Sequence, residues 1–330
     1  MKTLVTGATG LIGSSLVREL LNDNIEVKVM VRENSDTRNI DDLDVEKAYG
    51  DIRDGESVKA ALQGCDTFYQ AAALYVFWTP DSKVLYDINV EGTKIALTAA
   101  LEQGIEKVVY TSSIAAVGSS GPNKLANEDI EFNLWNTGDH YIRSKYLGEV
   151  EAKKFCDKGL PVVIVNPAGV MGVRDIKPTP SGQIILDVLN KKMPAYVDGG
   201  MNFVDVEDVA RGHILAAQKG RIGERYILGN ENLTLKDFFT LIGEVSGVQP
   251  PRLKLPYSAA LAVAYMYKFG SKITRKPPVL TPAGVRMASQ YTYYDVSKAV
   301  NELGFPQTPI KTTVEKAVNW FKENGYVKGG

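Results

Sequence analysis

Up to about residue 167 the chain alternates short β-branched, apolar runs with helical stretches. The runs TLVTG, EVKVMVR, VEKAYGD, DTFYQAAA, EKVVYTSS and LPVVIVNP are spaced by segments such as LIGSSLVRELLND, ESVKAALQG, VLYDINVEGTKIALTAALEQG and DHYIRSKYLGEVEAKKFCDKG. Strands separated by helices cannot close as tight hairpins; they pair in parallel, with the helices laid on both faces. Interior strands of that kind read as near-continuous apolar runs, so the expected fold class is α/β, a doubly wound parallel sheet. After Pro167 the regularity fails. Prolines cluster in KPTP, QPPR and RKPPVLTP, and short helices such as TLKDFFTLIGEVSG and PIKTTVEKAVNWFKENG are joined by turns. We expect residues 1–170 to form the sheet domain and 171–196 with 221–330 a smaller, mostly helical lobe over its carboxyl edge. NFVDVEDVARGHILAAQ at 202–218 again reads strand then helix, so 197–220 is expected to rejoin the sheet.

Composition sets bounds on function. The 330 residues are 44% hydrophobic and 23% charged with a formal net charge of −1, enough to bury a full core and without the basic excess of a nucleic-acid binder. Cys65 and Cys156 lie far apart and have no metal or disulfide spacing; both read as small core residues. Two histidines, His140 and His213, exclude a His-rich metal site, so no metal is expected. The chain opens directly on KTLVTG with no charged leader and apolar stretch, which points to the cytoplasm. The most membrane-like stretch, YSAALAVAYMYKF at 257–269, falls short of the ~20 residues of a span; we expect a buried or pocket-lining helix there and no membrane span.

The first run ends in TGATGLIG, which sets Gly7, Gly10 and Gly13 at a strand-to-helix turn. This spacing suits a tight turn, close approach of a diphosphate, and close packing of helix on strand. The helix N-terminus adds amides and a partial positive charge. A dinucleotide is therefore expected at this turn. At the end of the second run an NAD site wants a carboxylate for the ribose 2′-hydroxyl, whereas a 2′-phosphate wants an arginine. Here Val31 holds the acid's place and Arg32 follows, with Arg38 in the same loop; the guanidinium fork suits a phosphate. A solvated loop arginine is the alternative, given Glu33 and Asp36 nearby. We expect NADP rather than NAD. In GDIRD, Asp51 can accept from the adenine amino group with Ile52 on the ring, or cap the following helix.

A second constellation follows the fifth run. Tyr141 and Lys145 in HYIRSK are four residues apart on one helical face, and Ser113 closes the fifth run, so all three can meet at the sheet's carboxyl edge. A tyrosine near its ordinary ~10 is a poor base at neutral pH. Lowering it by about 3 units takes roughly 4 kcal/mol, which an ammonium ~4 Å away at an effective dielectric of ~20 supplies. Lys145 is expected to tune Tyr141 as acid/base, Ser113 to hold the substrate oxygen, and the cofactor to carry the hydride.

Taken together, TGATGLIG, GDIRD, QAAA, NVEGT, TSS and YIRSK resemble the extended short-chain dehydrogenase/reductases. Within them, VIVNPAGVMGVRDIKPTPSG and GERYILGNENLTL are most similar to the hopanoid-associated epimerase group, with dihydroflavonol reductase-like enzymes as near relatives. The resemblance implies a Rossmann-type fold and a Ser113, Tyr141, Lys145 triad. Ala71, Ala72 and Asn89 would frame the cofactor, and Asn166 and Pro167 would meet the nicotinamide. It extends the cofactor set to Thr9, Leu11, Ile12, Ala73, Thr111 and Gly169, and it implies a homodimer through two sheet-flanking helices.

One departure bears on substrate. Nucleotide-sugar members place an arginine and a histidine where MNFVDVEDVA has Met201 and Asp205. A diphosphate there would lose its fork-shaped partner and face an added carboxylate. Tyr75, Phe77, Trp78, Met171 and Tyr196 point instead to an apolar small molecule, although about half of such residues would be core. The sequence thus predicts an NADP-dependent oxidoreductase acting on a carbonyl or alcohol. Its alternatives are a sugar epimerase or dehydratase that retains its cofactor, and a non-catalytic NADP-binding sensor.

Overall fold

The computed structural model describes residues 2–121, 124–274 and 280–327; the prolines at 277 and 278 lie outside them. The strands are β1 (Lys2–Thr6), β2 (Glu26–Val31), β3 (Glu46–Tyr49), β4 (Thr67–Gln70), β5 (Lys107–Thr111), β6 (Val162–Pro167), β7 (Gly169–Met171), β8 (Ala195–Tyr196), β9 (Gly200–Asp205), β10 (Arg225–Leu228), β11 (Glu231–Thr234), β12 (Leu253–Lys254) and β13 (Tyr291–Thr292). The helices are α1 (Leu11–Asn22), α2 (Gly55–Leu62), α3 (Lys83–Tyr86), α4 (Gly92–Glu102), α5 (His140–Asp157), α6 (Pro180–Leu189), α7 (Val206–Lys219), α8 (Leu235–Ser246), α9 (Tyr257–Thr274), α10 (Pro282–Ala288) and α11 (Ile310–Glu323).

The main sheet has seven parallel strands in the order β10-β6-β5-β4-β1-β2-β3. This is the doubly wound α/β fold expected from the alternation of runs. Its interior strands are fully buried, as their apolar runs require: Val108 and Val109, and Val162 through Val165, expose nothing to solvent. One face packs on α1 and α7, the other on α2, α4 and α5. A third core, built from α6, α8, α11 and the Phe203 region, belongs to the lobe.

The stretch expected to rejoin the sheet behaves differently in its two halves. Helix α7 does return, packing beside α1. Strand β9 does not: it pairs with β7, β11 and β13 in a separate four-stranded sheet. The seventh main strand is β10, from a stretch assigned on sequence to the lobe. Its run Tyr226–Leu228 is fully buried against β6, a register that only tertiary assembly selects.

The helix at 257–269 is also unlike the expectation. It turns Ala260 and Ala264 inward and leaves Tyr257, Val263, Tyr265, Met266, Tyr267 and Phe269 exposed, and no residue of it lines the cleft described below. Among the described residues no helix is long and apolar enough to cross a membrane.

Candidate active site

A cleft of about 400 Å³ runs along the carboxyl edge of the main sheet and under the lobe. At one end is the turn between β1 and α1. Gly7 adopts φ +71°, and a Cβ there would stand 2.7 Å from the Ala71 carbonyl carbon; only glycine meets both conditions. A Cβ at Gly13 would collide with the Gly7 carbonyl oxygen, so α1 seats directly on the turn. Gly10 occupies the N-cap of α1 with no side chain to take up the first amides. A Cβ on it would meet only the Gly7 oxygen at 3.3 Å, leaving the cleft side open. A backbone cradle at a helix N-terminus with that open side fits a dinucleotide diphosphate. Thr9, Leu11, Ile12, Ile52, Ala71, Ala72 and Ala73 line the same end.

Of the two arginines expected near the ribose, only Arg32 reaches the cleft, where it is exposed. Arg38 turns away: its Nε and Nη2 donate to Asp36 at 2.9 and 2.8 Å. Asp51 lines the cleft, but both its oxygens accept the fork of Arg53 at 2.9 and 2.7 Å, which holds its carboxyl down at about 2. Asp51 is not the cap of α2; Asp54 is, accepting from the Glu56 amide at 3.2 Å. Arg53, absent from the sequence expectation, thus cancels the one carboxylate at this end and leaves Arg32 as its excess charge.

Midway along the cleft the fold brings Ser113, Tyr141 and Lys145 together. Asp139 starts α5 by accepting from the Tyr141 and Ile142 amides at 2.8 and 3.1 Å, which leaves His140 as the first helical residue. Tyr141, Lys145 and Glu149 then stack at four-residue intervals on the buried face. The Tyr141 ring is wedged between Tyr75, 4.9 Å away, and Phe77, 5.7 Å away edge-on, and Ser113 lies near enough to its hydroxyl to favour the phenolate. Lys145 Nζ donates to the Thr111 carbonyl at 2.9 Å.

The electrostatics differ from the expectation that Lys145 pulls the Tyr141 hydroxyl down. Burial pushes that hydroxyl above its ordinary range and Tyr75 adds to the rise, while the nearby Ser113 opposes it. The same burial pushes Lys145 down to about 8 against the pull of Glu149. Desolvation disfavours both charged forms, so Tyr141 rests fully protonated, while Lys145 at about 8 still carries its proton at neutral pH.

Several residues act from behind the cleft. Asn89, in a π-helical turn over Asp87–Glu91, does not line it. Its side chain accepts from the Leu74 amide at 2.8 Å and donates to the Leu74 carbonyl and to Ser144 Oγ at 3.1 and 3.0 Å. It thereby ties the β4 loop to α5. Asn166 is likewise fully buried and outside the cleft, donating to the Ser113 carbonyl at 3.0 Å and to Glu149 at 2.7 Å. Its neighbours Pro167 and Gly169 do line it. Glu149, which sequence reasoning missed, also accepts from Ser112 Oγ at 2.7 Å and Arg225 at 3.0 Å. The buried His213 bonds Thr111 Oγ1 at 2.9 Å and the Val209 carbonyl at 2.7 Å. The one available signal was that Glu149 continues the four-residue spacing of Tyr141 and Lys145.

The far end of the cleft is built from Leu74, Tyr75, Leu134, Ile142, Thr179, Met201, Met287, Gln290 and Thr292. Among the described lining residues the charged ones are Arg32, Asp51, Arg53 and Lys145, so this end carries no charge. Of the five residues expected to meet substrate, Tyr75 lines the cleft and Phe77 supports Tyr141. Trp78 lies outside the cleft at 38% exposure, and Met171 and Tyr196 pack into the lobe core. Met201 does face the cleft. Asp205 does not: it caps α7 through the Glu207 amide at 2.8 Å and accepts from Thr313 at 2.9 Å. The added carboxylate expected there is thus spent on structure.

Residues 3–229 match the profile of the NAD dependent epimerase/dehydratase family. A Synechocystis sp. protein provisionally named dihydroflavonol 4-reductase is 41% identical over 328 residues, 98% of this chain and 95% of its own length. Sterol demethylase protein B of Methylococcus capsulatus is 35% identical over 329 residues, covering 99% of this chain and 100% of that one. The crystal structure of gox2253 superposes with a TM-score of 0.89 at 40% identity over 99% of both chains.

Proposed function

The chain belongs to the NAD dependent epimerase/dehydratase family, and on that premise, which makes it an NAD(P)-dependent oxidoreductase, we propose that it is an NADPH-dependent reductase of an uncharged, apolar carbonyl compound. The carrying observation is the cleft's charge distribution. Its cationic end, where Arg53 neutralises Asp51 and Arg32 is left over, suits a 2′-phosphate; the end beyond Tyr141 has no charged group among the described residues and presents Met201 and Met287. The similarity to proteins named for reduction of a dihydroflavonol and for sterol demethylation supports the same class.

The nicotinamide would supply the hydride. Tyr141 delivers the proton to the substrate oxygen, and the burial that keeps its hydroxyl protonated suits an acid in the reductive direction. Ser113, beside the Tyr141 hydroxyl, holds the same oxygen as it becomes an alkoxide. Lys145 offers its charge as the phenolate forms, and Glu149, one turn along α5, favours that charge. Asn166 and Asn89 are positioning residues: one fixes the Ser113 backbone, the other fixes the α5 start against the β4 loop.

The test follows NADPH oxidation against a panel of apolar aldehydes and ketones, with nucleotide sugars alongside. Stoichiometric NADPH loss with an apolar carbonyl is expected. Conversion of a nucleotide sugar without net NADPH consumption would replace this reading with the epimerase one.

A further inference from the structure

Helix α9 is the most exposed apolar element among the described residues. It begins after Pro256, whose carbonyl accepts from the Ala260 amide at 3.1 Å, and it rests on the lobe through the small side chains of Ala260 and Ala264 and the partly buried Leu261. Apart from Leu261, the larger side chains between Tyr257 and Phe269 point outward. Met266 and Phe269 are 73% and 68% exposed, and Tyr257, Val263, Tyr265 and Tyr267 flank them. Scattered single apolar residues on a surface need no explanation, but a contiguous helical face of aromatics and methionine does.

The charge around it indicates what covers it. Across residues 245–294 the sequence holds seven Lys and Arg and no Asp or Glu, in a chain whose net charge is only −1. Of the cations placed by the structure, Lys268 is exposed on α9 and Arg252 just before it, while Lys254 is paired with Asp198 at 2.8 Å. An apolar, aromatic-rich helical face bordered by cations fits the boundary between lipid headgroups and acyl chains, and the cations suit anionic headgroups. A second copy of the same face would meet it with like charge.

We propose that α9 seats this face on the surface of an anionic lipid bilayer, as a peripheral contact and not a span. The docked helix adjoins the uncharged end of the cleft: Tyr265 accepts from Arg286 of α10 at 2.9 Å, and the next residue, Met287, lines the cleft. Delivery of a lipid-dissolved substrate by this route rests on the reading of the reaction given above, whereas the docking itself does not.

Sedimentation with vesicles, in the absence of any substrate, therefore tests docking alone. The full chain should pellet with vesicles of equal parts phosphatidylcholine and phosphatidylglycerol, less with phosphatidylcholine alone, and less as salt rises. The double variant Met266→Glu, Phe269→Glu should lose about a hundredfold in partitioning while keeping NADPH affinity and turnover of a water-soluble carbonyl. Lys268→Glu, a milder change should the double variant fail to fold, should lose about tenfold on the anionic vesicles. Absence of wild-type binding at low salt would overturn the proposal. So would unchanged binding by the folded variants, or light scattering that shows a dimer held by this face with no vesicle binding.

Discussion

The two ends of the cleft are made in different ways. At the cofactor end the walls are the loops that follow β1, β2, β3 and β4, each lying directly after a strand and held by the sheet's own register. At the other end Leu134, Thr179, Met201, Met287 and Thr292 come from loops, short strands and a helix scattered over nearly half the chain. A parallel sheet repeats one rule, so chemistry placed at its carboxyl edge can be located from local pattern. The lobe has no such rule, and what it contributes is decided by packing between segments far apart in sequence. One end therefore fixes the reaction and the other fixes what reacts.

The change with the largest expected effect tests the sheet's share of that division. Tyr141→Phe removes one hydroxyl from a ring that keeps its packing between Tyr75 and Phe77. Turnover should fall by ~100-fold or more, the range for loss of a general acid, with melting temperature and NADPH affinity little changed. Near-full activity in the Phe variant would show that the proton comes from elsewhere and that the sheet edge does not set the chemistry.

The same division explains what the sequence disclosed. Gly7, Gly10, Gly13, Arg32, Ser113, Tyr141 and Lys145 were legible because each stands at a strand end or on one helical face, where spacing of two or 3.6 residues dictates position. Arg38 and Asp51 are each held by an adjacent ion pair, to Asp36 in one case and Arg53 in the other, and no local pattern announces such a pair. Met171 and Tyr196 belong to β7 and β8, strands of three and two residues, too short for periodicity to reveal which face is buried. Lys145 illustrates a different limit: its position was readable, but the depth of burial that governs its charge was not.

Buried titratable groups sharpen the comparison, because the two regions respond to acid with opposite sign. His213, under the sheet, is pushed down to about 4 by burial, opposed by its bond to Val209. Between its ordinary 6.5 and 4 the unfolded chain binds a proton that the folded chain refuses, so its contribution is complete above 6.5 and is lost as pH falls. Asp175, in the lobe, is pushed up to about 6 by burial, opposed by bonds from Thr179. Between 3.8 and 6 the folded chain holds a proton that the unfolded chain has released, so its contribution is complete below 3.8 and is lost as pH rises. Each is worth of the order of 3 kcal/mol, and in the wild type they largely offset between pH 4 and 6. Asp175→Asn should therefore make the melting temperature fall more steeply on acidification than in wild type, and His213→Gln should make it fall less. Parallel pH curves for the two variants would mean that the regions do not differ in this way.

At the cofactor end, Arg32→Ala should weaken NADPH binding by about 1.5 to 3 kcal/mol, roughly tenfold to a hundredfold, while leaving NADH nearly unaffected. Titration of both cofactors with wild type and variant measures this directly. Equal losses for both, or a wild type that favours NADH, would remove the 2′-phosphate from the reading.

The smallest expected effect comes from the lobe and isolates it best. Met287 lines the uncharged end from α10, far from the glycine turn and on the opposite side of Tyr141 from Arg32 in the order of the cleft. Its half-buried side chain has no hydrogen-bonding duty that a shorter residue would orphan, so Met287→Ala should remove apolar contact and little else. Loss of part of a methionine's burial against an apolar substrate is worth about 1 kcal/mol, roughly fivefold. Contact made equally with substrate and transition state raises KM and leaves kcat unchanged, so the fivefold should appear wholly in KM for the carbonyl, with NADPH affinity as in wild type. A larger apolar substrate should suffer more than a small one, because it reaches further along that wall. If Met287→Ala instead lowers kcat for every substrate alike, the lobe is positioning the reacting carbonyl against Tyr141, and the separation between an end that fixes the reaction and an end that selects the substrate does not hold.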